Sequence, residues 1–92
     1  MVLENKVVLI TGARRLGSAI AGAVAERGAD VSLSFRRSRV DLRRAENLVK
    51  QAGRNILLTE VDLCSPDDCR YLIQETAEKF GRLDALINMA ST

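Results

Sequence analysis

The chain of 92 residues has no histidine, no tryptophan and only two cysteines. Without histidine it cannot form a Ser-His-Asp or Cys-His catalytic set. Cys64 and Cys69 alone do not complete a zinc-type ligand set. We therefore predict no metal site and interpret both cysteines as ordinary thiols, with Cys69 packed in a core.

Aromatic residues are also scarce, with one tyrosine and two phenylalanines. Five arginines crowd the stretch 36–44, namely Arg36, Arg37, Arg39, Arg43 and Arg44. Surfaces that bind single-stranded nucleic acid combine basic residues with aromatic rings, and no such interleaving occurs here. The sequence therefore argues against nucleic acid as a partner and leaves a local anion site as the interpretation of the arginines.

Long apolar runs are absent as well. No run reaches the roughly 20 residues of a membrane span, and the first residues lack the basic and apolar regions of a secretory signal. The apolar fraction of 47% is that of an ordinary globular protein. We therefore predict one domain that does not bind membranes and a cytoplasmic location.

What the sequence does contain is a regular alternation of strand-like and helix-like apolar spacing. Strands are predicted at 7–10, 31–35, 56–61 and 83–88. Helices are predicted from Leu16 to the glycine at 28, at about 39–52, and from Pro66 to Phe80. The β-α-β-α-β-α-β order predicts an α/β fold with a Rossmann-like, doubly wound parallel sheet, specifically its amino-terminal half with strand order 3-2-1-4.

Two helix starts carry capping signals. Ser65 is a predicted N-cap followed by Pro66 at the first helical position, and Ser38 with Asp41 forms a variant of the capping box. The third helix has a predicted apolar stripe at helical spacing, made of Cys69, Leu72, Ile73, Thr76, Ala77 and Phe80.

The segment from Thr11 to Gly17 joins the first strand to the first helix. A glycine-containing turn between a strand and a helix directs backbone N–H groups and the positive helix end at one point, which suits a phosphate. A Cβ at Gly12 would block a positive φ, and one at Gly17 would hold the backbone away from a pyrophosphate. Since Gly12, Arg36, Asp62 and Asn88 all stand at or just after the carboxyl ends of predicted strands, we expect them at one edge of the sheet.

These motifs resemble the short-chain dehydrogenase/reductase family over essentially the whole chain. Its glycine pattern is matched at Thr11-Gly12 and Gly17, its strand-end adenine contact at Val61-Asp62-Leu63, and its Asn-Asn-Ala-Gly segment at Asn88-Met89-Ala90-Ser91. The segment 81–84 precedes the fourth strand as in the family. The stretches 15–17, 35–38 and 90–91 are most similar to pteridine reductases. The turn departs from the family pattern because it is one residue shorter and has Arg15 or Leu16 where the middle glycine would stand.

The resemblance implies that residues 1–92 form a dinucleotide-binding segment. An NAD site has a carboxylate about 20 residues after the first glycine, whereas positions 32–37 have no acid and two arginines. Guanidinium groups pair with a 2′-phosphate, so NADPH (NADP) is the favoured cofactor. A solvated helix start with no ligand is the alternative for these arginines. The predicted cofactor-binding residues are Gly12, Arg14, Arg15, Leu16, Gly17, Phe35, Arg36, Arg37, Ser38, Asp62, Leu63, Asn88, Ala90 and Ser91.

The resemblance also shows what the sequence does not contain. The family's catalytic Ser and Tyr-x-x-x-Lys lie beyond the fourth strand, and Tyr71 is followed four residues later by Glu75 rather than by lysine. We therefore predict no catalytic residue here and expect an incomplete part of a reductase for carbonyl or pterin-like substrates. Alternatives are a non-catalytic NADP(H)-binding or protein-interaction module, and a fragment without a function of its own. The open edge of strand four, with Leu86, predicts self-association as a homo-oligomer.

Overall fold

The computed structural model describes residues 2–12, 15–36 and 40–89, without the side chains of residues 15, 40 and 41. Its secondary structure follows the predicted alternation of strands and helices. In chain order the elements are β1 (Val7–Thr11), α1 (Arg15–Glu26), β2 (Asp30–Phe35), α2 (Val40–Gln51), β3 (Ile56–Glu60), α3 (Pro66–Phe80) and β4 (Ala85–Asn88).

The strands form one parallel sheet in the order β3-β2-β1-β4. Leu9 of β1 is in register with Ser32 of β2 on one side and Leu86 of β4 on the other. The predicted topology is confirmed. Because the strand order reverses between β1 and β4, the carboxyl ends of these two strands flank the crevice where such sheets bind ligands.

The main core lies between the sheet and helices α1 and α2. Alanines let the helices approach the strands closely, and the core residues are almost completely shielded from solvent. This core comprises Val8, Ile10, Ala21, Ala25, Ala29, Val31, Leu33, Phe35, Leu42, Ala45 and Val49. The apolar run of β1 and the apolar positions of β2 are thus buried, as expected for parallel strands covered on both faces.

The opposite face carries a smaller apolar cluster of Leu9, Val61 and Leu72. Beside it the hydroxyls of Ser32 and Thr76 lie 2.7 Å apart in a buried hydrogen bond, and the Thr76 hydroxyl donates to the Leu72 carbonyl at 2.8 Å. Since that hydroxyl has a single proton, Ser32 is the donor to Thr76. The polar strand position is therefore satisfied by α3.

Helix α3 confirms its predicted start. The Ser65 hydroxyl accepts from the Asp68 N–H at 3.3 Å, and the helix ends at Gly81 in the left-handed conformation. The predicted apolar stripe is only partly correct. Leu72 is buried, but Ile73 is 50% exposed and Ala77 is also exposed, because α3 packs on β2 and β3 along a narrower strip.

Several strand and helix boundaries also differ from the prediction, most by a single residue. Strand β4 begins at Ala85 rather than at Leu83, since the preceding Asp84 uses its side chain to bind the start of β1. Strand β3 ends at Glu60, one residue early. The predicted capping box at Ser38 lies outside the described residues. Among the helices that are described, none is long and apolar enough to cross a bilayer.

Candidate functional site

The carboxyl edge of the sheet brings together the predicted strand-end residues. Gly12 follows β1, Arg36 follows β2, Asp62 lies two residues after β3, and Asn88 is the last residue of β4. These positions share one edge because every strand in the sheet is parallel to its neighbour. The predicted convergence of four strand ends is therefore present in the fold.

The glycine turn brings α1 against the end of β1. Gly12 has φ of 90°, the conformation that favours glycine. A Cβ added to Gly17 would lie 2.6 Å from the Gly12 carbonyl oxygen. Packing of the helix on the turn thus requires glycine at 17, which is a different reason from the approach of a pyrophosphate inferred from the sequence.

The amino end of α1 lies at this same edge. The helix has 12 residues and no acidic side chain in its first turn, so the partial positive charge of the helix end is not offset there by a carboxylate. Leu16, one of the predicted site residues, is 60% exposed beside it. The local field and the backbone favour an anionic ligand.

Polar contacts connect each pair of neighbouring strands along this edge. The Thr11 hydroxyl donates to Asn88 Oδ1 at 2.8 Å, joining β1 to β4. The Gly12 N–H donates to the Ser34 hydroxyl at 3.3 Å, joining β1 to β2. Arg36 Nη1 lies 3.6 Å from Asp62 Oδ1, joining the ends of β2 and β3. The polar groups at the ends of the four strands are therefore linked to one another in a row along this edge.

Asp62 is held more firmly than Arg36. Its Oδ1 accepts from the Cys64 N–H at 2.9 Å, and its own N–H donates to Asp68 Oδ2 at 2.8 Å. The Arg36 side chain is 54% exposed, against 38% for Asp62. The guanidinium is therefore free to reorient toward a second anion, while the carboxylate is fixed at the start of α3.

Sequence reasoning missed Ser34 and Thr11 as parts of this edge. Both side chains are buried. The signal for Ser34 was its polar position in the alternation of β2, and Thr11 was noted only as part of the glycine pattern. Phe35, by contrast, was predicted to contact a cofactor, but its side chain is buried in the main core and its carbonyl accepts from the Val61 N–H at 2.9 Å. Leu63 is half-buried against the cluster of Leu9 and Leu72.

Several predicted site residues lie outside the described residues, namely Arg14, Arg37, Ser38, Ala90 and Ser91. Arg15 is described only as the first residue of α1. Within residues 2–12, 15–36 and 40–89, no three histidine, cysteine, aspartate or glutamate side chains converge in a way that could hold a metal ion.

Tyr71 does not have the environment of a catalytic acid. Its hydroxyl donates to Glu75 Oε1 at 3.3 Å on the exposed side of α3. The negative charge of Glu75, followed by slight desolvation, raises the pKa of Tyr71 above its ordinary value. A neighbouring lysine would lower that pKa, so the charge beside this tyrosine shifts its pKa in the opposite direction.

The strand order, the glycine turn and the polar carboxyl edge define a Rossmann-like α/β protein. The family profile of the short chain dehydrogenases matches residues 6–92, and the chain belongs to that family. The narrower resemblance to pteridine reductases stays a prediction.

Individual relatives show the same likeness. An 11-beta-hydroxysteroid dehydrogenase-like 5 of Arabidopsis thaliana is 42% identical over 91 residues, which are 97% of this chain and 23% of that protein. A short-chain dehydrogenase/reductase of Serratia marcescens superposes with a TM-score of 0.90 at 27% identity, over 98% of this chain and 37% of that one. One from Mycobacterium paratuberculosis, solved with NAD bound, has a TM-score of 0.87 at 30% identity, over 98% of this chain and 38% of the other. This chain therefore spans well under half the length of these relatives.

Proposed function

We propose that residues 1–92 are the NADPH-binding part of a short-chain reductase whose substrate is a carbonyl or pterin-like compound. The observation that carries this proposal is the half-exposed guanidinium of Arg36 at the carboxyl end of β2. An acid at this place would favour the ribose hydroxyls of NAD, whereas a guanidinium favours the 2′-phosphate of NADPH.

The rest of the edge supports the same ligand. The amino end of α1 and the turn at Gly12 suit a pyrophosphate because backbone N–H groups and the helix dipole both favour negative charge. Asp62 and Leu63, at the end of β3, would receive the adenine. When bound, NADPH supplies the hydride, and the residues of this chain bind and orient it.

Titration of the chain with NADPH and NADH tests the assignment. We expect tighter binding of NADPH, and we expect Arg36→Gln to weaken that binding about tenfold, because a charge-assisted contact contributes about 1.5–3 kcal/mol. Binding of NADH should change little. Equal affinity of the unaltered chain for both nucleotides would contradict the proposal.

Arg27→Gln is the matched control. Arg27 is exposed and follows the last residue of α1, at the opposite edge of the sheet, so the net charge changes by the same amount far from the proposed site. Its NADPH affinity should equal that of the unaltered chain. If both variants lose affinity alike, the effect comes from net charge and not from a phosphate contact.

A non-catalytic NADP(H)-binding module is the second candidate. It shares the observation at Arg36, because the polar carboxyl edge would bind the nucleotide whether or not a hydride transfer follows. This candidate predicts nucleotide binding without turnover in the complete protein that contains this segment. Hydride transfer to a carbonyl substrate by that protein would exclude it.

Self-association through β4 is a separate proposal. Within the described part of the chain, β4 pairs only with β1, and Leu86 is 60% exposed on it. An uncharged edge strand of this kind offers unpaired backbone groups to another strand. Light scattering should show a mass that rises with concentration, and Leu86→Lys should reduce that rise.

A further inference from the structure

We infer that Asp62 determines how strongly this site selects a 2′-phosphate, because its carboxylate competes with that phosphate for Arg36. The inference rests on the proposed function and concerns a residue that acts through another one. In the structure, the Arg36 guanidinium faces Asp62 across the ends of β2 and β3 at 3.6 Å.

The geometry decides which partner moves when an anion arrives. Asp62 is fixed through its side chain by the Cys64 N–H and through its backbone by Asp68. Arg36 follows the last residue of β2, and its side chain is 54% exposed and has no described contact that fixes it besides Asp62. The arginine therefore leaves the pair, and the carboxylate stays in place.

The contact is weak enough for this exchange. An exposed ion pair at 3.6 Å contributes little, because water screens both charges. A phosphate offers a guanidinium two parallel hydrogen bonds and more negative charge than a carboxylate. The phosphate consequently wins the competition, but its apparent affinity is reduced by the fraction of Arg36 that is held by Asp62.

The exchange also leaves the Asp62 carboxylate without its countercharge. A fixed carboxylate next to a bound 2′-phosphate repels it, which is a second effect of the same sign. Removing the charge at position 62 should therefore strengthen binding of a 2′-phosphate through two routes. Only the release of Arg36 from the ion pair depends on the arginine, so comparing the effect with and without Arg36 separates the two routes.

The test uses adenosine 2′-monophosphate and adenosine 5′-monophosphate as probes, with affinities measured by calorimetry on the chain. The ratio of the two affinities isolates the 2′-phosphate from the adenine, which Asp62 itself could contact. We expect Asp62→Asn to raise this ratio about threefold, the upper part of the range for an exposed ion pair. In an Arg36→Gln background, the same change should raise the ratio less than half as much.

Two controls keep the result interpretable. Asp67→Asn removes an equal charge from a side chain that is 88% exposed and paired with Arg70 on α3, so its ratio should equal that of the unaltered chain. Asp62→Ser keeps an acceptor for the Cys64 N–H without a charge, so its affinity ratio should equal that of Asp62→Asn. Equal ratios would show that a disturbed turn is not the cause of the rise.

The outcomes distinguish the two claims. An unchanged ratio in Asp62→Asn, or a rise in the Arg36→Gln background that is at least half of the rise with Arg36 present, overturns the competition while leaving NADPH binding intact. Absence of binding by either probe and by NADPH in every variant overturns the proposed function and the competition together. A rise that falls to less than half of its size without Arg36 supports both.

Discussion

The amino edge of the sheet, where its strands begin, and the carboxyl edge, where they end, both carry an arginine–aspartate pair, but the two pairs differ in length and exposure. At the amino edge, Asp84 Oδ2 accepts from the Val7 N–H at 2.8 Å and from Arg82 Nε at 2.7 Å, while Oδ1 accepts from Arg82 Nη2 at 2.7 Å. At the carboxyl edge, the ion pair of Arg36 and Asp62 is 3.6 Å long and more exposed. Short, multiple bonds fix Asp84 to the start of β1 and to Arg82, whereas the long exposed contact of Arg36 with Asp62 can be exchanged for a ligand.

A second acidic residue at the amino edge shows the same contrast. Asp30 Oδ1 accepts from the Asn55 N–H at 3.0 Å and lies 3.2 Å from Arg54 Nε, with side-chain exposures of only 16% for Asp30 and 24% for Arg54. The Arg54 Nε atom is buried and not aligned for a hydrogen bond, so the aspartate compensates it by charge alone. The amino-edge aspartates thus have structural partners, whereas the half-exposed Arg36 at the carboxyl edge can exchange its long contact with Asp62.

The largest expected effect on stability is that of Gly17→Ala, which disturbs the packing of α1 on the glycine turn at the carboxyl edge. Its Cβ would lie 2.6 Å from the Gly12 carbonyl oxygen, a backbone atom that cannot move without shifting β1 or α1. Overpacking of this kind costs about 1–3 kcal/mol. Urea denaturation should show that loss, and NADPH binding should weaken in the fraction that stays folded.

Gly22→Ala is its control in the same helix. The added Cβ would meet only the Leu48 side chain at 3.1 Å, which can adjust, and alanine favours the helix by about 1 kcal/mol over glycine. Its free energy of unfolding should stay within about 1 kcal/mol of the unaltered chain. Equal losses in both variants would show that the turn has no special role.

An intermediate effect is expected from removing one charge at each edge. Asp30→Asn leaves the half-buried Arg54 without a countercharge and should lower the free energy of unfolding by about 1–2 kcal/mol. Asp62→Asn removes an exposed partner and should cost about 0–1 kcal/mol. Denaturant titrations of the two variants compare the edges directly, and a larger cost for Asp62→Asn would reverse the contrast.

The sequence was sufficient for the fold because its signals agreed with one another. Strand-like and helix-like spacing alternated regularly, and Ser65 with Pro66 marked the start of α3 as the structure has it. The errors arose where tertiary packing decides. Spacing alone could not show that Ile73 would stay exposed on α3, because the width of the buried strip depends on which strands the helix covers.

The carboxyl edge was predictable in its location but not in its contacts. Strand ends of a parallel sheet must meet at one edge, so Gly12, Arg36, Asp62 and Asn88 could be grouped from their positions. The ion pair of Arg36 with Asp62 and the bond from Gly12 to Ser34 depend on side-chain directions across different strands. No spacing within one segment contains that information.

The smallest expected effect concerns pH and the amino edge. Hydrogen bonds from Arg82, and next the Val7 N–H, lower the pKa of Asp84 below its ordinary value of 3.8. The unfolded chain lacks these contacts and binds the proton more readily, so the stabilisation is present above that ordinary value and is lost as the pH falls through the lower folded pKa. Melting temperatures measured from about pH 5 down to about pH 2.5 should therefore fall more steeply for the unaltered chain than for Asp84→Asn.

Asp67→Asn, which removes a carboxylate from the exposed first turn of α3, should keep the steep fall. If instead Asp84→Asn follows the unaltered chain over this range, the hydrogen bonds from Arg82 and Val7 to the Asp84 carboxylate do not stabilise the fold, and the two edges differ less than the structure indicates.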